Sequence, residues 1–273
     1  NQYFFHNING AKVVFYPMNG VRTTNITVRL HAGSWYEPNH KYGGLHALEH
    51  LTFEGTQRFS NHRQIETFKE NFGISSNAWT SGREIEYWYK VPSQYLNKSL
   101  TLLEEKIFLP TLPESELKRE VNVIKQEYYD YYQKPSSRFN ELQNIQILGP
   151  NHPYNHDALG KPEYLDTLTR KRLDQLHSQF YQPQNMVISA AGSAKPADFF
   201  TVLTAILNRY PNTQKTAIKS APTKPGTRNL VHQDDVDQAS VSVQWLLPGE
   251  QDLSLSDRLA FYFAGYLLGG SSR

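Results

Sequence analysis

The stretch Gly44-Leu45-His46-Ala47-Leu48-Glu49-His50-Leu51-Thr52-Phe53-Glu54-Gly55-Thr56 decides how this chain is read. Its spacing predicts a helix over 45–53. A loop from Gly33 to Gly44, holding Pro38 and the pair Gly43-Gly44, leads into it. On a helix, His46 and His50 stand one turn apart on one face, so both imidazoles can reach one metal ion. Glu49 sits beside that face, where a carboxylate can take a proton from a water that a metal activates. The order inverts the commoner H-E-x-x-H pattern. Two ordinary helical histidines would give the same five residues, so the rest of the chain must supply another ligand.

The chain around this stretch is that of a folded protein. It has 273 residues, 38% of them hydrophobic and 13% aromatic, enough for one large or two ordinary domains. With 28 basic and 26 acidic residues the net charge is +2. That balance gives no argument for nucleic acid or a membrane surface as partner. The absence of cysteine excludes disulfides, thiolate metal sites and cysteine nucleophiles, so a metal must rest on His, Asp or Glu. No run approaches the roughly 18 apolar residues of a membrane span. The compartment is left unknown.

Going outward, residues 3–16 read as a strand pair around Asn9-Gly10, and 24–30 as a strand of clean polar–apolar alternation. A helix over 61–72 ends at Gly73. A strand-like run from Ile74 to Val91 is closed by Pro92, and 93–108 is helical. A helix from about Thr169 to Tyr181 leads to a strand over 185–191. The Lys/Thr/Pro-rich stretch 213–227 reads as a linker. A strand over 239–247 and a helix from about Ser256 follow. The division is therefore a domain over 1–212, a linker over 213–227, and the truncated start of a second domain over 228–273.

The missing ligand is sought in the helix that Pro113-Glu114-Ser115-Glu116 opens, with acidic residues in the first turn where the helix dipole favours them. There Glu120, Ile124 and Glu127 share one face with Leu117. Two carboxylates on an apolar face are costly unless a cation is near; the plainer alternative is a solvated acidic stripe. Two histidines, one carboxylate and a water form the ligand set of a catalytic zinc site with an open position. Such a zinc lowers the pKa of its water and polarises a carbonyl, with Glu49 as general base. His152 and His156 are also four apart, but they flank Pro153 and read as loop residues. His6, His31, His40, His62, His177 and His232 show no partner spacing.

These residues resemble the pitrilysin/insulinase family of zinc metallopeptidases, which includes mitochondrial processing peptidase and insulin-degrading enzyme. The likeness extends to Gly33-Ser34-Trp35-Tyr36-Glu37-Pro38, to the segment from Arg119 to Glu127, and to Tyr181-Gln182-Pro183-Gln184-Asn185-Met186. It implies an α+β fold, a mostly antiparallel sheet with helices packed on one face, followed by the start of a second homologous unit. It implies one Zn2+ per chain on His46, His50 and Glu127, with Glu49 as base and Glu120 orienting the site. It also implies that Asn77, Ala78, Trp79 and Thr80 form an edge strand to which a peptide adds by main-chain hydrogen bonds; the alternative is an ordinary strand with Trp79 in a core.

The activity implied is zinc-dependent hydrolysis of unstructured peptides. Its rival is a non-catalytic or partner-dependent peptide-binding subunit, since the family's second unit continues further and contributes an Arg and a Tyr toward the substrate. A homodimer or a second homologous subunit is the partner that would complete it. A third reading, a lyase with the same inverted motif, pairs that motif with a cysteine that this chain lacks.

Overall fold

The computed structural model describes residues 3–212, 230–237, 239, 241–244, 247–249 and 252–268. The chain divides into two compact units, Asn1–Thr223 and Lys224–Arg273. The expected linker, 213–227, lies outside the described residues.

The first unit is built on six strands: β1 (Phe4–Ile8), β2 (Ala11–Pro17), β3 (Thr23–Leu30), β4 (Ser75–Thr80), β5 (Ile85–Pro92) and β6 (Met186–Gly192). They lie in the order β1-β2-β6-β3-β5-β4. Every neighbouring pair is antiparallel except β2 with β6. The helices are α1 (Gly44–Leu51), α2 (His62–Phe72), α3 (Leu96–Phe108), α4 (Glu114–Tyr132), α5 (Pro135–Leu148), α6 (Pro162–Leu165), α7 (Arg170–Phe180) and α8 (Pro196–Leu207). In the second unit, α9 spans Leu255–Leu267, and the side chain of Ser254 accepts from Asp257 N–H at its start.

Strand alternation explains the layering. In β3, Thr24, Ile26, Val28 and Leu30 are buried while Asn25 and Arg29 are exposed. In β5, Ile85, Tyr87, Tyr89 and Val91 are buried in the same way. A strand presents alternate residues to opposite faces, so one sheet face carries the helices and the other faces solvent. Arg29 and Glu86 pair at 2.6 Å on the open face. Asn9 (φ 48°) and Gly10 (φ 84°) make the two-residue turn of β1–β2, the backbone such hairpins need. The Asn9 side chain also donates to Leu207 O at 2.7 Å and Tyr210 O at 2.9 Å, tying the hairpin to the end of α8.

Two sequence expectations, and the alternative placing of Trp79, are corrected. The run 74–91 is not one strand but the hairpin β4–β5, turned at Ser81–Glu84, where Ser81 N–H donates to Glu84 O. Trp79 does not enter a core: it is 40% exposed and its indole N–H donates to Glu86 Oε1 on the open face. The described residues within 239–247 form no strand, and Val241 and Val243 are exposed; alternation alone does not make a strand where no described neighbour pairs with it.

Lys106, on α3, is the most unusual core residue. It is fully buried, its Nζ lies 3.0 Å from the centroid of the Phe53 ring, and it has no hydrogen-bond partner among the described residues. Burial, followed by the nearby Lys69 charge, holds its pKa well below the usual lysine range, opposed by Glu49 and Glu66. The folded chain therefore holds this proton less tightly than the unfolded chain, and stability falls as the pH drops below the unfolded pKa. Lys106→Met should raise the melting temperature at pH 7 by several degrees. This corresponds to about 1–3 kcal/mol for an unsatisfied buried group. Calorimetry at pH 7 and pH 10 checks it: the gain should shrink at the higher pH, and a fall at pH 7 would refute the account.

Candidate metal and peptide site

The candidate site forms where α1, α4 and β4 meet. α1 begins after Gly43, whose φ of +104° and whose neighbour Gly160 leave no room for a side chain: a Cβ would stand 2.6 Å from Gly160 Cα. The helix packs on α4, α7 and β4. Leu45, Leu48 and Leu51 are buried in the core, which turns the opposite face, with His46 and His50, toward α4.

There the two Nε2 atoms stand 3.2 Å apart, with the rings at 87°. Glu127, two turns beyond Glu120 on α4, places Oε2 3.9 Å from both. Ligand atoms about 2.0–2.1 Å from a tetrahedral zinc would stand about 3.3 Å apart, so this triangle is close to that size. Burial, then the His50 charge, lowers His46 to about 3, which makes it the neutral imidazole a metal requires. Its Nδ1 is buried with no partner among the described residues.

His50 Nδ1 lies 2.9 Å from Glu120 Oε2. Burial pulls His50 down, but the Glu120 hydrogen bond and the charges of Glu49, Glu127 and Glu120 outweigh it, and its pKa is raised. Glu120 is held below the carboxylate range by that bond, against burial, and Arg119 Nη2 lies 3.2 Å from its other oxygen. With Nδ1 committed to Glu120, His50 turns Nε2 toward His46. Two such nitrogens at 3.2 Å repel unless a proton or a cation lies between them. The donor set, two imidazoles and a carboxylate, fits zinc.

Glu49 is 6% exposed, and burial raises its pKa. Thr80 Oγ1 donates to Glu49 Oε2 at 3.2 Å. Ligand atoms of His46, Glu49 and His50 all lie within 4.8 Å of one another, so distance alone would also admit Glu49 as a ligand. Its bond to Thr80 and the equal reach of Glu127 to both histidines favour Glu127.

Thr80 closes the segment Asn77-Ala78-Trp79-Thr80. β4 pairs only with β5 and forms one edge of the sheet, so its outer backbone groups are free of any strand among the described residues. Beyond its end lies a cavity of about 290 Å3, lined by Ser81, Gly82, Tyr131, Tyr132 and Glu141 among others. The structure thus brings His46, Glu49, His50, Glu120, Glu127 and Thr80 together, with Asn77–Trp79 along the adjoining edge. His152 and His156 lie apart from this group, and both are buried. His156 bridges Ser34 O at 3.0 Å and Asn39 Oδ1 at 2.7 Å and stacks on Tyr42, which accounts for it as packing.

Residues 13–149 match the family model described as insulinase, peptidase family M16. The chain belongs to that family. Residues 167–273 match the M16 inactive domain. Among curated relatives, the uncharacterised zinc protease YmxG of Bacillus subtilis is 33% identical over 185 residues, covering 68% of this chain and 45% of that protein. The probable zinc protease PqqL of Escherichia coli is 24% identical over 250 residues, covering 88% of this chain and 27% of that protein. A protease structure from Helicobacter pylori superimposes with a TM-score of 0.71 at 25% identity, over 82% of this chain and 54% of that one. This chain thus spans less than half of those curated relatives. Membership places it among the M16 peptidases and their inactive subunits. No helix among the described residues is long and apolar enough to cross a membrane.

Proposed function

We propose that this chain carries the zinc-binding, peptide-cleaving unit of an M16 peptidase acting on unstructured peptides. The observation that carries this reading is the approach of His46 Nε2, His50 Nε2 and Glu127 Oε2 to one point, with Glu49 beside them and an open strand edge alongside. His46, His50 and Glu127 would hold the metal, which supplies Lewis acidity toward water and the peptide carbonyl.

The chain's own residues do the rest. Glu120 holds the His50 ring by Nδ1, fixing its tautomer and aim. The Thr80 hydroxyl orients Glu49. Glu49 accepts a proton from the attacking water and delivers it to the leaving amine nitrogen as the C–N bond breaks. Its burial raises its proton affinity toward what a base working near neutral pH requires. The outer edge of β4 offers backbone N–H and C=O groups that pair with an extended peptide. A folded substrate, whose backbone groups are already paired, cannot use that edge.

The match of residues 167–273 to the inactive domain favours a second reading, a peptide-binding subunit that needs a homologous partner or a second copy for turnover. Two measurements on one sample separate the readings. Elemental analysis should find about one zinc per chain, and a mixture of unstructured peptides should be cleaved. Zinc with peptide binding but no cleavage selects the second reading; no zinc uptake would remove the first.

A further inference from the structure

A buried carboxylate stands outside the site described so far. Glu37 follows the turn Ser34–Tyr36 in the loop between β3 and α1 and is 4% exposed. Its Oε2 accepts from Gly43 N–H at 3.0 Å and Leu45 N–H at 3.3 Å, and its Oε1 from Gly44 N–H at 3.1 Å. The first N–H groups of a helix have no acceptor within it. Here three at the start of α1 end on one carboxylate. The capping position itself is Gly43, which has no side chain to do this, so the cap comes from upstream in the chain. Hydrogen bonds to an ionised acceptor are about twice as strong as neutral ones, and the helix N-terminus favours negative charge.

The fit is close. A Cβ on Gly44 would come 2.9 Å from Glu37 Oε1 and 2.8 Å from Leu176 Cδ1. Burial pushes Glu37 up to about 7, against the three N–H groups and Arg172. The fold thus keeps a carboxylate where desolvation opposes it. α1 has only eight residues, too few to be stable in isolation. Where its first turn begins sets the direction of every later side chain, since each residue turns the helix by about 100°.

We propose that Glu37 is a positioning residue for the metal-binding helix: its carboxylate fixes the axial position and rotation of α1, and with them the aim of His46 and His50 at one point. This rests on the zinc reading above. Zinc affinity, measured by competition with a chromophoric chelator, tests it on the whole chain, on Glu37→Gln and on Glu37→Asp. Gln keeps the shape and one carbonyl oxygen but sets an amide against a backbone N–H. Asp keeps the charge but falls short of the helix.

A folded Glu37→Gln chain, checked by circular dichroism, should bind zinc about 10–100-fold more weakly, the usual loss when a group behind a ligand is removed. Glu37→Asp should recover part of it, and it carries the test alone if the Gln chain does not fold. Affinity within twofold of wild type in a folded variant, whatever its melting temperature, would make Glu37 a stabilising cap and overturn the inference. A wild-type chain with no zinc affinity would overturn the underlying reading instead, and this inference with it.

Discussion

Glu49→Gln should abolish peptide hydrolysis while leaving zinc bound. Gln keeps the size of the side chain and can still accept from the Thr80 hydroxyl, now 3.2 Å from Glu49 Oε2. It cannot take up a proton. A positioned general base contributes about 10²–10⁴-fold, and loss of kcat in that range is expected with little change in KM, because the proton moves only in the transition state. Zinc content should stay at the wild-type value, since the proposed ligands are His46, His50 and Glu127 and not Glu49. Steady-state cleavage of a quenched-fluorescent peptide, with elemental analysis of the same sample, checks both halves. Loss of zinc together with activity would show Glu49 to be a ligand. Activity within tenfold of wild type would deny it the role of base.

The second large effect concerns Glu127. It is the most exposed of the three proposed ligands and comes from a different helix. Glu127→Gln removes the only charge that would balance the metal directly, while His46, His50 and Glu120 stay in place. Groups one step removed from a metal already cost 10–100-fold in affinity when lost, so a ligand should cost about a hundredfold or more. Because Glu127 is partly exposed and packs little, the melting temperature of the metal-free chain should hardly move. A chelator-competition titration paired with calorimetry separates the two. Unchanged zinc affinity would place the third ligand elsewhere, with Glu49 the next candidate by distance.

Local periodicity made much of this unit legible. The hairpin at Asn9-Gly10, the alternation of β3, and α2 between Asn61 and Gly73 each carry their signal within a few residues. The pair His46 and His50 is legible for the same reason. Three helices went unread. α6, Pro162–Leu165, is a single turn, too short to show a period. α5, Pro135–Leu148, has little separation of polar and apolar faces in its sequence. α8, Pro196–Leu207, is apolar nearly all round, and an apolar run does not announce its period. Reading 74–91 as one strand failed because the turn Ser81-Gly82-Arg83-Glu84 lies between two segments of the same strand-forming character. Glu37 was visible only as part of a family-like loop, and nothing in its spacing signals that the amides of Gly43, Gly44 and Leu45 converge on it. The one available cue was a carboxylate shortly before a helix whose capping residue is glycine.

The place of β6 has its own consequence. It is the last strand of the sheet in sequence, yet it lies near the middle, between β2 and β3, and pairs with both along its length. Before residue 192 has left the ribosome, the β1–β2 hairpin and the β3–β5–β4 ribbon have no edge in common. Each has one strand edge that only β6 pairs with in the finished sheet. The unit cannot assemble progressively from its N-terminus; it must wait with two pre-formed pieces and join them in one late step through contacts distant in sequence, which favours slow folding and leaves strand edges open to wrong partners meanwhile.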